Sequence, residues 1–355
     1  MSVRPDVRAA KAYHFSARPA RIKLDQNESP YDLPPELKAE VWAKLETLEW
    51  NRYPELAAES LRAAIARYHA WDERGVVIAG GSNVLIHAFV AACGVAQRVL
   101  NLRPTFAVYG EHAHLLGAPL TEISLEADFG LPKERLLREL KTGPGVLFLA
   151  NPAAPTGNAF AAADMATLLR AATSAWTVVL DEAYHQFATT DMLPLIRAAP
   201  HAASLRTFSK AFGLGGVRLG YALTSPDLAE NIQKMLLPFS VSALQVATGL
   251  TALAHPDYVA ARAAEAVRER DILLEKLQAL PGLTVYPSQT NFLLFRVPDA
   301  ETFYNALLKQ GILIRRQDHL PGLSGCLRVS VGKPGENRAF LAAAEKICEG
   351  VMVSG

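Results

Sequence analysis

The sequence predicts an α/β protein: a large domain built on a mostly parallel sheet with helices on both faces, followed by a smaller α+β domain. Three observations predict it. Short, almost wholly apolar runs recur between residues 76 and 223, amphipathic stretches of helical spacing separate them, and the pattern changes near residue 256. Strands that are apolar on both faces and joined through helices belong to a parallel sheet buried on two sides. The ligand of such a sheet sits beyond the carboxyl ends of its strands, where the polar residues of this chain cluster.

In chain order, residues 1–30 form an arm too polar and Pro-broken to fold alone, expected to pack on the small domain and the active site. Residues 31–255 form the large domain. Its strands are VVIA (76–79), RVLNL (98–102), GVLFLA (145–150), WTVVLD (176–181), SLRTF (204–208) and RLGYAL (218–223), with helices expected over 82–93, 107–116, 132–140 and 161–172. Residues 256–355 form the small domain. A long helical stretch (257–280) leads into strands LTVYP (283–287), NFLLFRV (291–297), ILIRR (312–316) and CLRVSV (326–331), with helices near 300–310 and 335–348.

Composition narrows the function. The chain has 355 residues, with 36 Lys+Arg against 35 Asp+Glu and a net charge of +1. Nucleic acids and polybasic membrane contacts need clustered cations, so neither partner is expected. At this length a chain buries enough surface to fold without disulfides or metal. Cys93, Cys326 and Cys348 are odd in number and include no C-x-x-C pair, which suits small buried hydrophobes in a reducing compartment. The N-terminus has charges throughout and lacks an apolar core, and VSALQVATGLTALA (241–254) is too short and too polar to span a membrane. A cytoplasmic protein is expected. His112 and His114 lie two apart on a predicted helix and so on different faces, unlike a zinc-binding pair, and no metal is expected.

Five segments carry candidate chemistry. In TFSKAFGLGGVRLGY (207–221), Lys210 follows a strand among hydroxyls and glycines. The segment reads either as a glycine-rich turn with a solvated lysine or as a confined lysine that forms a Schiff base. The second role needs a neutral amine, favoured by nearby positive charge and desolvation. Thr207, Ser209 and Arg218 suit a phosphate. In VVLDEAYHQF (178–187), Asp181 ends a strand and projects into the crevice. Such an acid is commonly a helix cap or a candidate metal ligand; beside Lys210 it also suits a carboxylate that keeps a pyridine nitrogen protonated, with Tyr184 reaching the ring's phenolic oxygen. In AGGSNVLIHAF (79–89), glycines precede Ser82 and Asn83 at a helix start, either an ordinary turn and N-cap or a phosphate site. NLRPTFAVYGEHA (101–113) offers Phe106 and Tyr109 after a strand, for the core or for stacking on a flat ring. LANPAAPTGN (149–158) is a turn after a strand.

Together these segments resemble, in order and spacing, the pyridoxal-phosphate-dependent aminotransferases of the aspartate-aminotransferase fold, and within them the histidinol-phosphate aminotransferase family. IKLDQNESPYDLP (22–34) and NRYPEL (51–56) extend the resemblance toward the N-terminus. It implies pyridoxal 5'-phosphate as cofactor, with Lys210 as the Schiff-base lysine and proton shuttle. Asp181 would pair with the ring nitrogen, Tyr184 with the ring oxygen, and Tyr109 would stack on the ring. Ser82, Asn83, Thr207, Ser209 and Arg218 would hold the phosphate, joined by Tyr53 of a second subunit in a homodimer with shared sites. Arg328 would grip the substrate's phosphate, with Asn291 beside it; Arg315, with Arg316, would be either a second contact with it or an edge-strand charge pair. Asn27 and Tyr31 would close over the substrate. The amino group would pass from L-histidinol phosphate to 2-oxoglutarate, giving glutamate. Other readings of the same resemblance are an aromatic or other amino-acid aminotransferase, a threonine-phosphate decarboxylase, or a cofactor-binding homologue with little turnover. Two departures stand out. Ala154 replaces the asparagine that in the family donates to the ring oxygen, for which Asn151 is a candidate substitute, and GSNVLI (81–86) stands where the family has G-S-D-E.

Overall fold

The computed structural model describes residues 2–10 and 18–353. Among the described residues thirteen strands run in chain order: β1 (Ile22–Lys23), β2 (Val76–Ala79), β3 (Val99–Arg103), β4 (Leu120–Ser124), β5 (Gly145–Ala150), β6 (Trp176–Asp181), β7 (Ala202–Thr207), β8 (Gly220–Leu223), β9 (Thr284–Val285), β10 (Phe292–Arg296), β11 (Ile312–Leu313), β12 (Arg315–Arg316) and β13 (Cys326–Ser330). Seven of them form one sheet in the order β2-β8-β7-β6-β5-β3-β4. Only β8 runs against its neighbours, pairing antiparallel with both β7 and β2. The cause is the connection: residues 208–219 form a turn with no crossover helix, and a parallel return needs one.

The apolar runs fold as their two-sided patterning requires. Val76 and Ile78 enter one core while Val77 and Ala79 enter the other, as alternation along a strand dictates. Val146 and Phe148 likewise face away from Leu147 and Leu149. The first core packs helices Glu59–Tyr68 and Ala243–Ala254 on the sheet, and the second packs helices Ser82–Cys93 and Val108–Leu116. One strand escapes the sequence pattern. Edge strand β4 buries only Ile123 of its five residues, so it lacks the apolar run by which its neighbours are recognised.

A second sheet, in the order β12-β13-β10-β9, is antiparallel throughout. It packs Leu293, Phe295, Leu327 and Val329 against Leu307, Phe340 and Leu277 of three helices. Two sequence expectations need correction here. The run 312–316, read as one strand, is two: β11 pairs with β1 and β12 with β13, in different sheets. Ile314, 1% exposed, turns into the core between them. The run 218–223 begins as strand only at Gly220, because Arg218 adopts a positive φ of 59° in the preceding turn. Cys326 and Cys348 are buried, Cys93 is half-buried, and all three are free thiols.

The arm is ordered by contact. Its strand β1 lies parallel to β11, Leu24 accepts a hydrogen bond from Ser330 N at 2.9 Å, and Ile22 and Leu24 belong to the core of the second sheet. From there it runs across the carboxyl ends of the large sheet.

Gly220 determines how closely the sheet meets the helix Ser82–Cys93. A Cβ at that position would lie 2.4 Å from the Ser82 amide nitrogen. Gly220→Ala should therefore push the helix start away and cost about 2 kcal/mol. A denaturant midpoint equal to that of the parent protein would show the close approach to be unnecessary.

Candidate active site

The carboxyl ends of β5, β6 and β7 bring Ala150, Asp181 and Thr207 to one edge, with Ala150 and Asp181 directly paired. They line a cavity of about 200 Å³ together with Ser82, Asn83, Tyr109, Tyr184, Ser209, Lys210 and Arg218. Eleven of the residues that the sequence singles out thus converge on one space: Ser82, Asn83, Phe106, Tyr109, Asp181, Tyr184, Thr207, Ser209, Lys210, Arg218 and the departure at Ala154.

Asp181 is almost wholly buried. One carboxylate oxygen accepts the Tyr109 hydroxyl at 2.6 Å and the other accepts the Ala183 N–H at 3.1 Å. Burial pushes its carboxyl above the usual range, and these two donors with the Lys210 charge pull it back. The Tyr109 hydroxyl is in turn pushed well up, by burial first and by the Asp181 charge. Tyr109 is therefore more than a stacking ring: one face already lies on Phe148, with centroids 4.9 Å apart and planes within 9°. Phe106, 37% exposed, is the more accessible aromatic on this wall. Beneath β6 and β7, the buried Arg206 guanidinium lies 3.0 Å from Glu182 and so neutralises the acid beside Asp181.

One end of the cavity is suited to an anion. The helix Ser82–Cys93 opens there, with no side chain capping its start and no acid in its first turn. Arg218 faces it; a Cβ on Gly81, whose φ is +104°, would lie 2.7 Å from the guanidinium. Arg218 is aimed by bonds to the Gly215 carbonyl at 3.0 Å and the Ser209 hydroxyl at 3.4 Å, and its own carbonyl accepts from the Gln245 amide. Thr207 donates to the Ser209 hydroxyl at 3.0 Å.

Lys210 lies between this cavity and a neighbouring one. Its ammonium donates to the carbonyls of Gln26 and Asn27, both at 3.1 Å, and sits 5.6 Å from the centre of the Tyr184 ring. The second cavity, about 250 Å³, is lined by Asn27, Phe106, Ala154, Tyr184 and Lys210 on one side and by Arg315, Gln317, His319 and Arg328 on the other. Arg315 and Arg328 are register partners on β12 and β13. Arg328 donates to the Asp25 carbonyl at 2.9 Å and lies over the Phe292 ring.

Four other expected residues lie outside these two cavities. Asn151 does not face the site; its side-chain oxygen accepts the Phe160 N–H at 2.8 Å and so closes the turn after β5. Tyr31 donates to Glu265 at 2.5 Å, which pushes its hydroxyl up to about 12, and lines a water-sized space on the far side of Lys210 with Asn291. Tyr53 is 82% exposed and stacks on Phe239. Gln317, His319 and the arm carbonyls that bind Lys210 join the site without having been expected there, and no pattern in the sequence marks a backbone acceptor. His112 is 3.2 Å from His87, ring nitrogen to ring nitrogen, and among the described residues no group of three potential metal ligands exists.

A lysine and a buried acid sharing one cavity, with an anion cradle at its end, agree with what similarity to known proteins shows. The family model for aminotransferase class I and II matches residues 19–343. The histidinol-phosphate aminotransferase of Deinococcus radiodurans is 48% identical over 343 residues, 96% of this chain and 95% of that protein. Histidinol-phosphate aminotransferase 1 of Ralstonia nicotianae is 40% identical, covering 96% of this chain and 93% of its own length. The crystal structure of histidinol-phosphate aminotransferase from Sinorhizobium meliloti, in complex with pyridoxal-5'-phosphate, superposes with a TM-score of 0.88 at 24% identity, over 99% of this chain and 98% of that one. The seven-stranded sheet and the cavity at its carboxyl edge are thus those of the class I and II aminotransferases of fold type I, to which this chain belongs as a member of the histidinol-phosphate aminotransferase family.

Proposed function

We propose that this chain is a pyridoxal 5'-phosphate-dependent aminotransferase that takes its amino group from L-histidinol phosphate and delivers it to 2-oxoglutarate, as a cytoplasmic homodimer. The observation that carries the reading is the shared position of Lys210, which lines both the cavity that ends in an anion cradle and the cavity that ends in two arginines. One suits a cofactor and the other a phosphorylated substrate.

The residues fit the cofactor. The helix start at Ser82, with Thr207, Ser209 and Arg218, would hold its phosphate. The buried Asp181 carboxylate, whose pKa is raised by burial, gains from a cation and would keep the ring nitrogen protonated. Tyr184 would donate to the ring oxygen, and Lys210 would hold the aldehyde carbon. When bound, the cofactor draws electrons from the substrate's α-carbon. The protein's part is to place a base there: once its amine is free, Lys210 would take the α-proton and return it to the carbon on the other side of the transferred nitrogen, a transfer within reach of a single flexible side chain. Arg328 and Arg315 would grip the substrate phosphate and exclude a donor that lacks it. Residues 31–255 make up the cofactor domain in this reading, residues 256–355 the small domain, and residues 1–30 the arm between them.

The second subunit is supported by the surface around Tyr53. Tyr53, Leu56, Leu237 and Phe239 are 82, 56, 78 and 40% exposed, and Tyr53 stacks on Phe239 at 4.9 Å. Exposed apolar residues grouped in this way suit an interface, at which Tyr53 would complete the partner's phosphate site. Among the described residues no helix is long and apolar enough to cross a membrane.

The reading is tested by presenting the holoenzyme with histidinol phosphate and, separately, with histidinol. Turnover should require the phosphate, and Arg328→Ala should lower kcat/KM for the phosphorylated donor by roughly 10- to 100-fold. Equal rates with both donors would refute the substrate assignment. Shared sites are tested by mixing inactive Lys210→Ala and Tyr53→Ala proteins. Hybrids that contain one intact site should regain activity, and a mixture as inactive as its components would rule the sharing out.

Asp181 also affects stability. Because its carboxyl is raised above the ordinary 3.8, the folded apoprotein holds that proton more tightly than the unfolded chain does. Its contribution is fully present below pH 3.8 and is lost as pH rises through the folded value. The apo Asp181→Asn variant should lack that loss, so its melting temperature should gain on the parent's between acid and neutral pH. In the holoenzyme the same change should lower turnover by about 100-fold or more. Parallel pH–stability curves would refute the account of the carboxylate.

A further inference from the structure

The geometry points to a role for Asn27 other than closing over the substrate: we infer that it is a positioning residue that fixes the direction of the hydrogen bond at Tyr184 and so makes that hydroxyl a donor toward the cofactor. The inference rests on the cofactor reading above.

Asn27 is 2% exposed and sits in the left-handed region, φ +55°, which asparagine tolerates better than most residues. Its backbone N–H donates to the Ser330 hydroxyl oxygen at 2.8 Å. That oxygen is thereby an acceptor, and its own proton goes to the Asn27 side-chain oxygen at 3.2 Å. With the Ser330 proton on the amide oxygen, that oxygen faces β13 and the NH₂ faces the site. The NH₂ then donates to the Tyr184 oxygen at 2.9 Å. A phenol that receives a hydrogen bond on its oxygen keeps its one proton for another partner. The Tyr184 ring is held in place by edge-on contact with Phe292, centroids 5.3 Å apart, so the proton is directed from a fixed oxygen.

That proton matters because of what surrounds it. Of the cavity's hydroxyls, those of Ser82, Thr207 and Ser209 stand at the anion end, and that of Tyr109 is committed to Asp181. Ala154, on the same wall as Tyr184, offers a methyl group. Tyr184 is therefore the hydroxyl left to serve the ring oxygen. Asn27 is also bound elsewhere: its carbonyl accepts from Lys210 and from the Asn291 amide, each at 3.1 Å.

An isosteric change reverses the bond. In Asn27→Asp, a carboxylate can still accept from Ser330 but must accept from Tyr184 as well, which draws the phenol proton out of the cavity. The readout is the pH titration of the visible absorbance of the cofactor bound to Lys210, in the parent holoenzyme, Asn27→Asp, Tyr184→Phe and the double variant. A lost donor leaves the ring oxyanion more basic, so the apparent pKa should rise by about one unit in either single variant. If Asn27 acts through Tyr184, the double variant should titrate like Tyr184→Phe. Additive shifts would mean that the new charge acts directly, and an unshifted Asn27→Asp would mean that the orientation is idle; either result overturns the inference. Ser330→Ala provides a second route should Asn27→Asp not fold. It releases the amide and should produce a smaller shift of the same sign, and no shift would count against the inference. A parent protein that shows no covalently bound, pH-dependent chromophore would instead overturn the cofactor reading beneath it.

Discussion

Burying the Asp181 carboxylate at the end of β6 costs free energy that hydrogen bonds offset only in part. Much of the surrounding structure is organised by that cost. Tyr109 has to be fully buried to reach it, and helix Val108–Leu116 has to pack on the sheet to deliver Tyr109. The neighbouring Glu182 would add a second negative charge at the same place, so Arg206 is buried with it, 3% exposed, and tied to it at 3.0 Å. What remains is an acid with both oxygens fixed, opening onto a cavity, and most stable beside a cation. A site of this kind is pre-organised for a protonated heterocycle and is paid for in the stability of the apoprotein.

The parts of this arrangement that were legible in the sequence are those that a strand or a turn records directly. Asp181 follows an apolar run, so its placement at a sheet edge followed from patterning alone. The glycines around Lys210 and Ser82 announced tight turns, and the helix Ser82–Cys93 was placed to the residue. Failures came where tertiary contact, not local pattern, decides. Strand β4 is held by pairing with β3 while four of its five residues are not buried. Ile314 marks a switch between two sheets inside what reads as one strand. Asn151, the candidate substitute for the donor lost at Ala154, instead accepts the Phe160 N–H in its own turn. The Tyr109 hydroxyl and the arm carbonyls depend on residues far away in the chain.

The arm shows why these distant contacts matter. The backbone carbonyls of three successive residues are each occupied by side chains from other elements. That of Asp25 accepts from Arg328, that of Gln26 from Lys210, and that of Asn27 from Lys210 and Asn291. A polar segment without a core of its own is thus ordered by cations that it lies between, while Ile22 and Leu24 anchor it in the core of the second sheet. Its polarity, which argues from composition against independent folding, is what lets it bridge two apolar cores at a site where charges must meet.

This bridge has a mechanical consequence. Successive peptide units are rigid planes linked at single Cα atoms, so turning one of the Asp25, Gln26 and Asn27 carbonyls changes the dihedrals of its neighbours. Arg328, on the side suited to an anionic substrate, and Lys210, at the boundary with the cofactor cavity, are bound to adjacent carbonyls of one short segment. A carbonyl only accepts, so every one of these contacts depends on the cation's N–H. When Lys210 turns its amine toward the cavity, the segment loses two bonds at its centre while keeping those to Ser330 at one end and Arg328 at the other. The segment is therefore anchored at the Asp25 carbonyl and at the Asn27 N–H, apart from the two bonds that Lys210 makes.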